Sequence, residues 1–215
     1  MDRLELAKKI DHTCIRLDAT IHDIKKACNE VLTYGFRSIV INSSYVELAN
    51  SILIERNRIT STIGFPYGTA SIKSKVSELK EAIRLGAKEI DAVINIGYLK
   101  SGDIEYTRKE VISIVEMAKS FGDIIVKIIV ELGYLNRDEI IKAVEIVREG
   151  GADYIKTSSG LTKISIDDIK FLKSIGGSLK IEAAGGIHDY SKAIDIINAG
   201  ADIIGSSNSL KIISP

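Results

Sequence analysis

The chain has 215 residues, 45% hydrophobic and 27% charged, with 29 basic and 29 acidic side chains and therefore no formal net charge. That length suits one fully cored domain over 1–215, and the even balance, with no one-sided charge run, argues against a nucleic-acid or acidic-membrane partner. The opening MDRLELAKKIDHT has no signal-peptide core and no stretch approaches the ~18 apolar residues of a membrane span, so the cytoplasm is the expected compartment and no membrane partner is expected.

The first predicted strand is IDHTCI (10–15). His12 within it reads as a packed, hydrogen-bonded histidine rather than a catalyst. With three histidines in all and no His/Asp/Glu cluster, no metal site is expected. Cys14 and Cys28 have neither CxxC nor ligand spacing and read as plain thiols. SIVIN (38–42) and STIGF (61–65) are the next strands, followed by a helix over 71–86. EIDAVIN (89–95) and IVKIIVE (125–131) come next, then a helix over 136–151 that opens on an Asn cap and closes on Gly. YIKTSS (154–159), LKIEAA (179–184) and DIIGSS (202–207) complete eight strands. Ile- and Val-rich runs of this kind suit parallel strands buried on both faces. Eight of them alternating with helices predict a (β/α)8 TIM barrel in the α/β class. An open dinucleotide-binding sheet would need a GxGxxG turn after its first strand, and none is present.

A weak repeat supports the barrel. Gly35, Gly86, Gly151 and Gly200 each end a predicted helix just before strand two, four, six or eight. Five residues after each glycine stand Val40, Asp91, Lys156 and Gly205. Alternate strands fill one layer of a barrel interior, so an aspartate and a lysine are expected together inside.

Lys156 lies near the C-terminal end of an apolar strand, the end where barrel active sites form. Such a lysine fixes an anion or attacks a carbonyl to form a Schiff base; the second use requires the neutral amine. Asp91 suits a general acid/base. AAGGI (183–187) and IGSSNS (204–209) end strands seven and eight with glycines followed by hydroxyl and amide side chains. Barrels often bind phosphate there, with a short helix N-terminus facing the anion. Gly160, in TSSG, is placed to join that ring.

These segments resemble the deoxyribose-phosphate aldolase family, class I aldolases on a (β/α)8 barrel, over nearly the whole chain. IDHTCIRLDAT is similar to the family's opening, with Arg16 and Leu17 where Lys-Pro is common. VINSSYV, TIGFPYG, EIDAVINIGYLKSGD, VKIIVELGYL and GADYIKTSSG resemble its second to sixth strands in turn, with Leu132 where a Thr is usual. The resemblance implies cleavage of 2-deoxy-D-ribose 5-phosphate to glyceraldehyde 3-phosphate and acetaldehyde, a phosphorylated sugar as substrate, a homo-oligomer and no cofactor. It makes Lys156 the Schiff-base lysine and Asp91 part of the proton relay, and puts Gly160, Gly185, Gly186, Gly205, Ser207 and Asn208 around the substrate phosphate.

One position departs. The family's seventh strand carries a lysine that lowers the pKa of the Schiff-base lysine, and here that position is Glu182. A carboxylate beside Lys156 stabilises its ammonium. Lys180, which shares a strand face with Glu182, and Lys127 are the candidates to supply the missing cation; Lys180 could instead pair with Glu182. A protonated Glu182 could serve as an acid. The alternative functions are an altered barrel that binds a sugar phosphate without cleaving it, and an aldose-phosphate isomerase.

Overall fold

The computed structural model describes residues 1–53 and 58–214. Its eight strands are β1 (Ile10–Cys14), β2 (Ser38–Asn42), β3 (Arg58–Ile63), β4 (Glu89–Val93), β5 (Ile125–Ile129), β6 (Tyr154–Lys156), β7 (Lys180–Ala184) and β8 (Ile203–Ser206). They pair in parallel, in chain order, and β8 returns to β1 to close a barrel. The predicted (β/α)8 architecture is the observed one.

Helices pack around the outside. In chain order they are α1 (Arg3–Ala7), α2 (Ile21–Tyr34), α3 (Val46–Ile52), α4 (Ile72–Arg84), α5 (Ile96–Lys100), α6 (Ile104–Lys119), α7 (Arg137–Glu149), α8 (Ile166–Gly176), α9 (Tyr190–Asn198) and α10 (Ser209–Ile213). Local chemistry explains their ends. Asn136 and Glu139 form a reciprocal capping box at the start of α7, as the Asn cap suggested, and Thr20 and Asp23 do the same for α2. The buried stripe of α7, Ile140, Ala143, Val144 and Val147, has the spacing of one helix face. Gly35, Gly86, Gly151 and Gly200 all take positive φ, from 69° to 120°, a backbone that side chains resist. Each turns the chain from helix toward the next even-numbered strand, with the glycine N–H bonding back three residues at Gly86, Gly151 and Gly200 and four at Gly35.

The two strand faces differ sharply in chemistry. Ile39, Ile41, Ile90, Ala92, Val126, Ile128 and Ile181 join the apolar core between barrel and helices. Their neighbours in sequence point inward, and these include Ser38, Val40, Glu89, Asp91, Lys127 and Glu182, each of them fully buried. The barrel is filled largely with charge.

Strand boundaries differ in places. β2 spans the predicted residues, but β3 begins three residues earlier than STIGF and ends at Ile63. Gly64, at φ 62°, turns the chain out of the sheet and its N–H donates to Glu78 at 2.9 Å. Phe65 therefore belongs to the loop above the barrel. β5 and β6 stop at Ile129 and Lys156, because the residues beyond them hold the rim loops.

Candidate active site

Lys156, the last residue of β6, directs its Nζ at two carboxylates inside the barrel. It is hydrogen-bonded to Asp91 Oδ2, and Glu182 Oε1 lies 2.7 Å away. The expected pairing of strands four and six in one layer holds. Gly205 completes this corner by being small: a Cβ there would stand 2.7 Å from Glu182 Oε1 and 3.6 Å from Lys156 Nζ.

Lys127, one strand earlier, sits at the centre. Its Nζ is 2.5 Å from Asp11, 3.0 Å from Glu182 and 3.2 Å from both Asp91 and Glu89. Arg37 closes the lower end, 2.6 Å from Asp11 and 2.9 Å from Glu89. Lys127 is thus the cation beside Glu182, and the proposed contact with Lys180 does not form. Lys180 begins β7 at the N-terminal rim, exposed, with its amine 5.4 Å from the Tyr154 ring centre. Two residues along a strand span about 6.6 Å, so sharing a face did not bring Lys180 to the depth of Glu182.

Burial works against the charged form of Lys156, as does the Lys127 ammonium. Asp91 and Glu182 outweigh both and hold the amine above the ordinary lysine value. Burial pushes the Glu182 carboxyl up, and Asp91 and Asp11 add to this against the pull of Lys127 and Lys156. Lys127 loses by burial too, yet its four carboxylates keep it well above 10.5. Asp11 is held far below the usual carboxylate range, because Lys127 and Arg37 overcome its desolvation.

Replacing Lys127 by methionine would leave four carboxylates without their shared cation. Breaking a buried pair from one side costs about 3–5 kcal/mol, so urea unfolding of Lys127→Met is expected to show a loss of that order. A raised lysine pKa stabilises the fold at every pH below the unfolded value of 10.5 and is lost only as pH climbs through the folded value. The deficit should therefore persist across neutral pH.

Gly205, next to Lys156 Nζ, also lines a cavity of about 350 Å³ above the strand ends. Gly160, Gly185, Gly186, Gly205, Ser207 and Asn208 all line it. Arg16 and His188 share its wall, and neither was expected there. Some expected donors are already engaged: the Gly160 N–H donates to Ser158 Oγ at 2.9 Å and the Asn208 N–H to Ser206 Oγ at 3.0 Å. The short helix α10 follows directly, with Asn208 at its cap position.

A family model described as "DeoC/LacD family aldolase" matches residues 5–208. This chain belongs to that aldolase family. The deoxyribose-phosphate aldolase of Caldanaerobacter subterraneus subsp. tengcongensis is 44% identical, covering 98% of this chain and 93% of the relative. That of a Thermoanaerobacter species is 42% identical over 98% and 96%. The solved deoxyribose phosphate aldolase of Aeropyrum pernix, described as a unique tetrameric structure, has a TM-score of 0.93 at 31% identity, covering 99% of this chain and 91% of the other.

Three further charged groups of this aldolase-family barrel went unread in the sequence: Asp11, Arg37 and Glu89. Each comes from the lower part of the barrel and reaches Lys127 or its partners only when distant strands meet. His12 faces outward, as expected of a packed residue: Nε2 lies 2.9 Å from Glu30 and the ring stacks on Phe36 at 5.0 Å. Two of the hydroxyls after Lys156 are taken up by the fold, Thr157 donating to Ala184 O at 2.7 Å and Ser158 to Glu131 at 2.6 Å. Glu131 was also missed.

Proposed function

We propose that this aldolase-family chain is a Schiff-base enzyme that cleaves 2-deoxy-D-ribose 5-phosphate to D-glyceraldehyde 3-phosphate and acetaldehyde. The observation that carries the proposal is the buried Lys156 amine, in contact with two carboxylates and close to Gly205, which lines the glycine-rich cavity. The phosphate would lie against Gly185, Gly186, Gly205, Ser207 and Asn208, with the loop containing Gly160 closing the other side. The proposal takes the enzyme to be cytoplasmic, without a nucleic-acid partner, and a homo-oligomer; the tetrameric relative supports the last.

Lys156 must first lose its proton. Glu182 is the acceptor in this scheme: in a dry interior a touching ammonium–carboxylate pair reaches its neutral form at less cost than in water. The neutral amine adds to C1 of the open-chain sugar. Glu182 returns the proton to the departing hydroxyl, and loss of water leaves the iminium. Two carbons in acetaldehyde and three in glyceraldehyde 3-phosphate put the broken bond between C2 and C3. Asp91, directly or through water, takes the C3 hydroxyl proton as that bond's electrons flow into the iminium. The enamine is reprotonated at C2 and hydrolysis frees Lys156. The iminium is the electron sink, so the chemistry calls for no cofactor.

The second reading, a barrel that binds the sugar phosphate without cleaving it, is favoured by one feature: Glu182 strengthens the hold of Lys156 on its proton. Borohydride reduction with acetaldehyde separates the two. Cleavage chemistry is expected to leave an ethyl group on the peptide containing Lys156. An unmodified Lys156 at saturating acetaldehyde, across neutral and alkaline pH, would remove the covalent mechanism.

A further inference from the structure

β5 and β6 continue to pair beyond their regular ladder, but out of step. Val130 N–H donates to Lys156 O at 3.1 Å, and Leu132 N–H donates to Thr157 O at 2.8 Å. Two residues advance on one side for one on the other, so Glu131 is the extra residue of a β-bulge, a feature that re-aims a side chain. Glu131 takes φ 48° and ψ 64°, the one non-glycine positive φ among the described residues. A left-handed backbone at such a residue costs about 1–2 kcal/mol, and it persists where surrounding contacts over-determine it.

The hydrogen bonds to the Glu131 side chain all come from one loop, the segment 157–163 that follows Lys156. Glu131 is 3% exposed. Its Oε1 accepts from the Ser158 hydroxyl at 2.6 Å and the Thr162 hydroxyl at 2.5 Å, and its Oε2 from the Ser159 N–H at 2.7 Å. Ser158 Oγ in turn accepts the Gly160 N–H at 2.9 Å. The far end of the loop is seated on β7: Ile164 N–H donates to Gly185 O at 3.1 Å, and a Cβ at Gly185 would overlap the Thr162 carbonyl. Contacts therefore run unbroken from the bulge, through Ser158 and Thr162, to the glycine wall of the cavity. Both carboxylate oxygens are engaged by donors of this loop, and Glu131 does not line the 350 Å³ cavity, so an anion entering there meets the loop first.

We infer that Glu131 is the positioning residue of the phosphate-binding loop, setting Ser159 and Gly160 against Gly185 so that the cavity selects a sugar carrying a phosphate monoester. This rests on the reading of the cavity as the phosphate end of an aldolase site.

The test compares 2-deoxyribose 5-phosphate with unphosphorylated 2-deoxyribose, and measures inorganic phosphate binding by calorimetry. Glu131→Gln keeps the size of the side chain. Glu131→Gly deletes the carboxylate while relieving the positive φ, so strain does not compromise folding. Both are expected to lower the kcat/KM preference for the phosphorylated sugar at least tenfold, through KM, and to weaken phosphate binding by a similar factor. Trapping of acetaldehyde by Lys156 should persist, since acetaldehyde carries no phosphate. Thr162→Val removes one of the three donors and should show a smaller loss in the same direction. Folded Glu131→Gly and Thr162→Val with unchanged preference and phosphate affinity would overturn the inference. So would equal losses on both sugars, which denote a general structural role. Failure of the aldolase reading looks different: wild-type protein would not trap acetaldehyde, yet phosphate would bind it and bind the variants less.

Discussion

Lys156→Arg is expected to abolish cleavage of 2-deoxyribose 5-phosphate while leaving the fold intact. Arginine keeps the positive charge that faces Asp91 and Glu182, so the carboxylates retain a partner. It remains protonated at any usable pH and cannot add to an aldehyde as a neutral amine. Loss of the nucleophile in an enzyme with a covalent intermediate lowers the rate by roughly 10⁴–10⁶-fold. The expected result is kcat/KM down by that order, no borohydride-dependent label, and a urea midpoint close to wild type. Residual cleavage within about tenfold of wild type would mean that Lys156 fixes an anion and is not the nucleophile.

Glu182→Gln should change the pH profile in two separate ways. At pH 7 an ordinary lysine with a pKa of 10.5 is neutral in only ~3 parts in 10⁴, and each unit of further increase removes another factor of about ten. Because Asp91 and Glu182 hold Lys156 above that value, wild-type activity should climb with pH into the alkaline range. Removing the Glu182 charge removes one of the two causes, so the rising limb should move to lower pH. The plateau above the limb should fall by about 10²-fold, the lower end of what a proton-transferring side chain contributes. Steady-state kinetics between pH 6 and 10 read both quantities. An unmoved limb would deny Glu182 its influence on Lys156. A limb that moves while the plateau holds would make Glu182 a brake on the lysine and not a carrier of its proton.

The fold was largely legible because its signal is periodic: strand runs alternate with helical patterns, and β2 was placed to the residue. The Lys156–Asp91 pair was legible for a related reason. A positive-φ glycine stands five residues before the same barrel layer on each even-numbered strand, so equal spacing implied equal depth. Depth was misread at Lys180, where face was inferred from alternation but height was not. Asp11, Arg37 and Glu89 were invisible because their partners come from strands far along the chain; Asp11 and Lys127 are 116 residues apart. Glu131 was hidden by the bulge, since no residue pattern in IVKIIVE announces that its last side chain leaves the strand's alternation. Glu182 is the instructive case. The family resemblance placed it beside Lys156 and offered Lys180 and Lys127 as the cation near it; the fold brings Lys127, and not Lys180, to its other side.

The ionic filling of the barrel also bears on how the chain reaches its native state. Asp11, Glu89 and Asp91 belong to β1 and β4, in the first half of the molecule, whereas Lys127 and Lys156 belong to β5 and β6, in the second. The buried pairs joining Lys127 and Lys156 to Asp11, Glu89 and Asp91 cross from one half to the other. A half-barrel folded alone would keep only its internal pairs, Arg37 with Asp11 and Glu89 or Glu182 with the two lysines, and would leave the crossing pairs unmade. Only the closed ring brings them together, and such long-range closure is intrinsically slow. The groups proposed for catalysis are therefore also a lock between the halves, favouring an all-or-none barrel over fragments and partly closed forms.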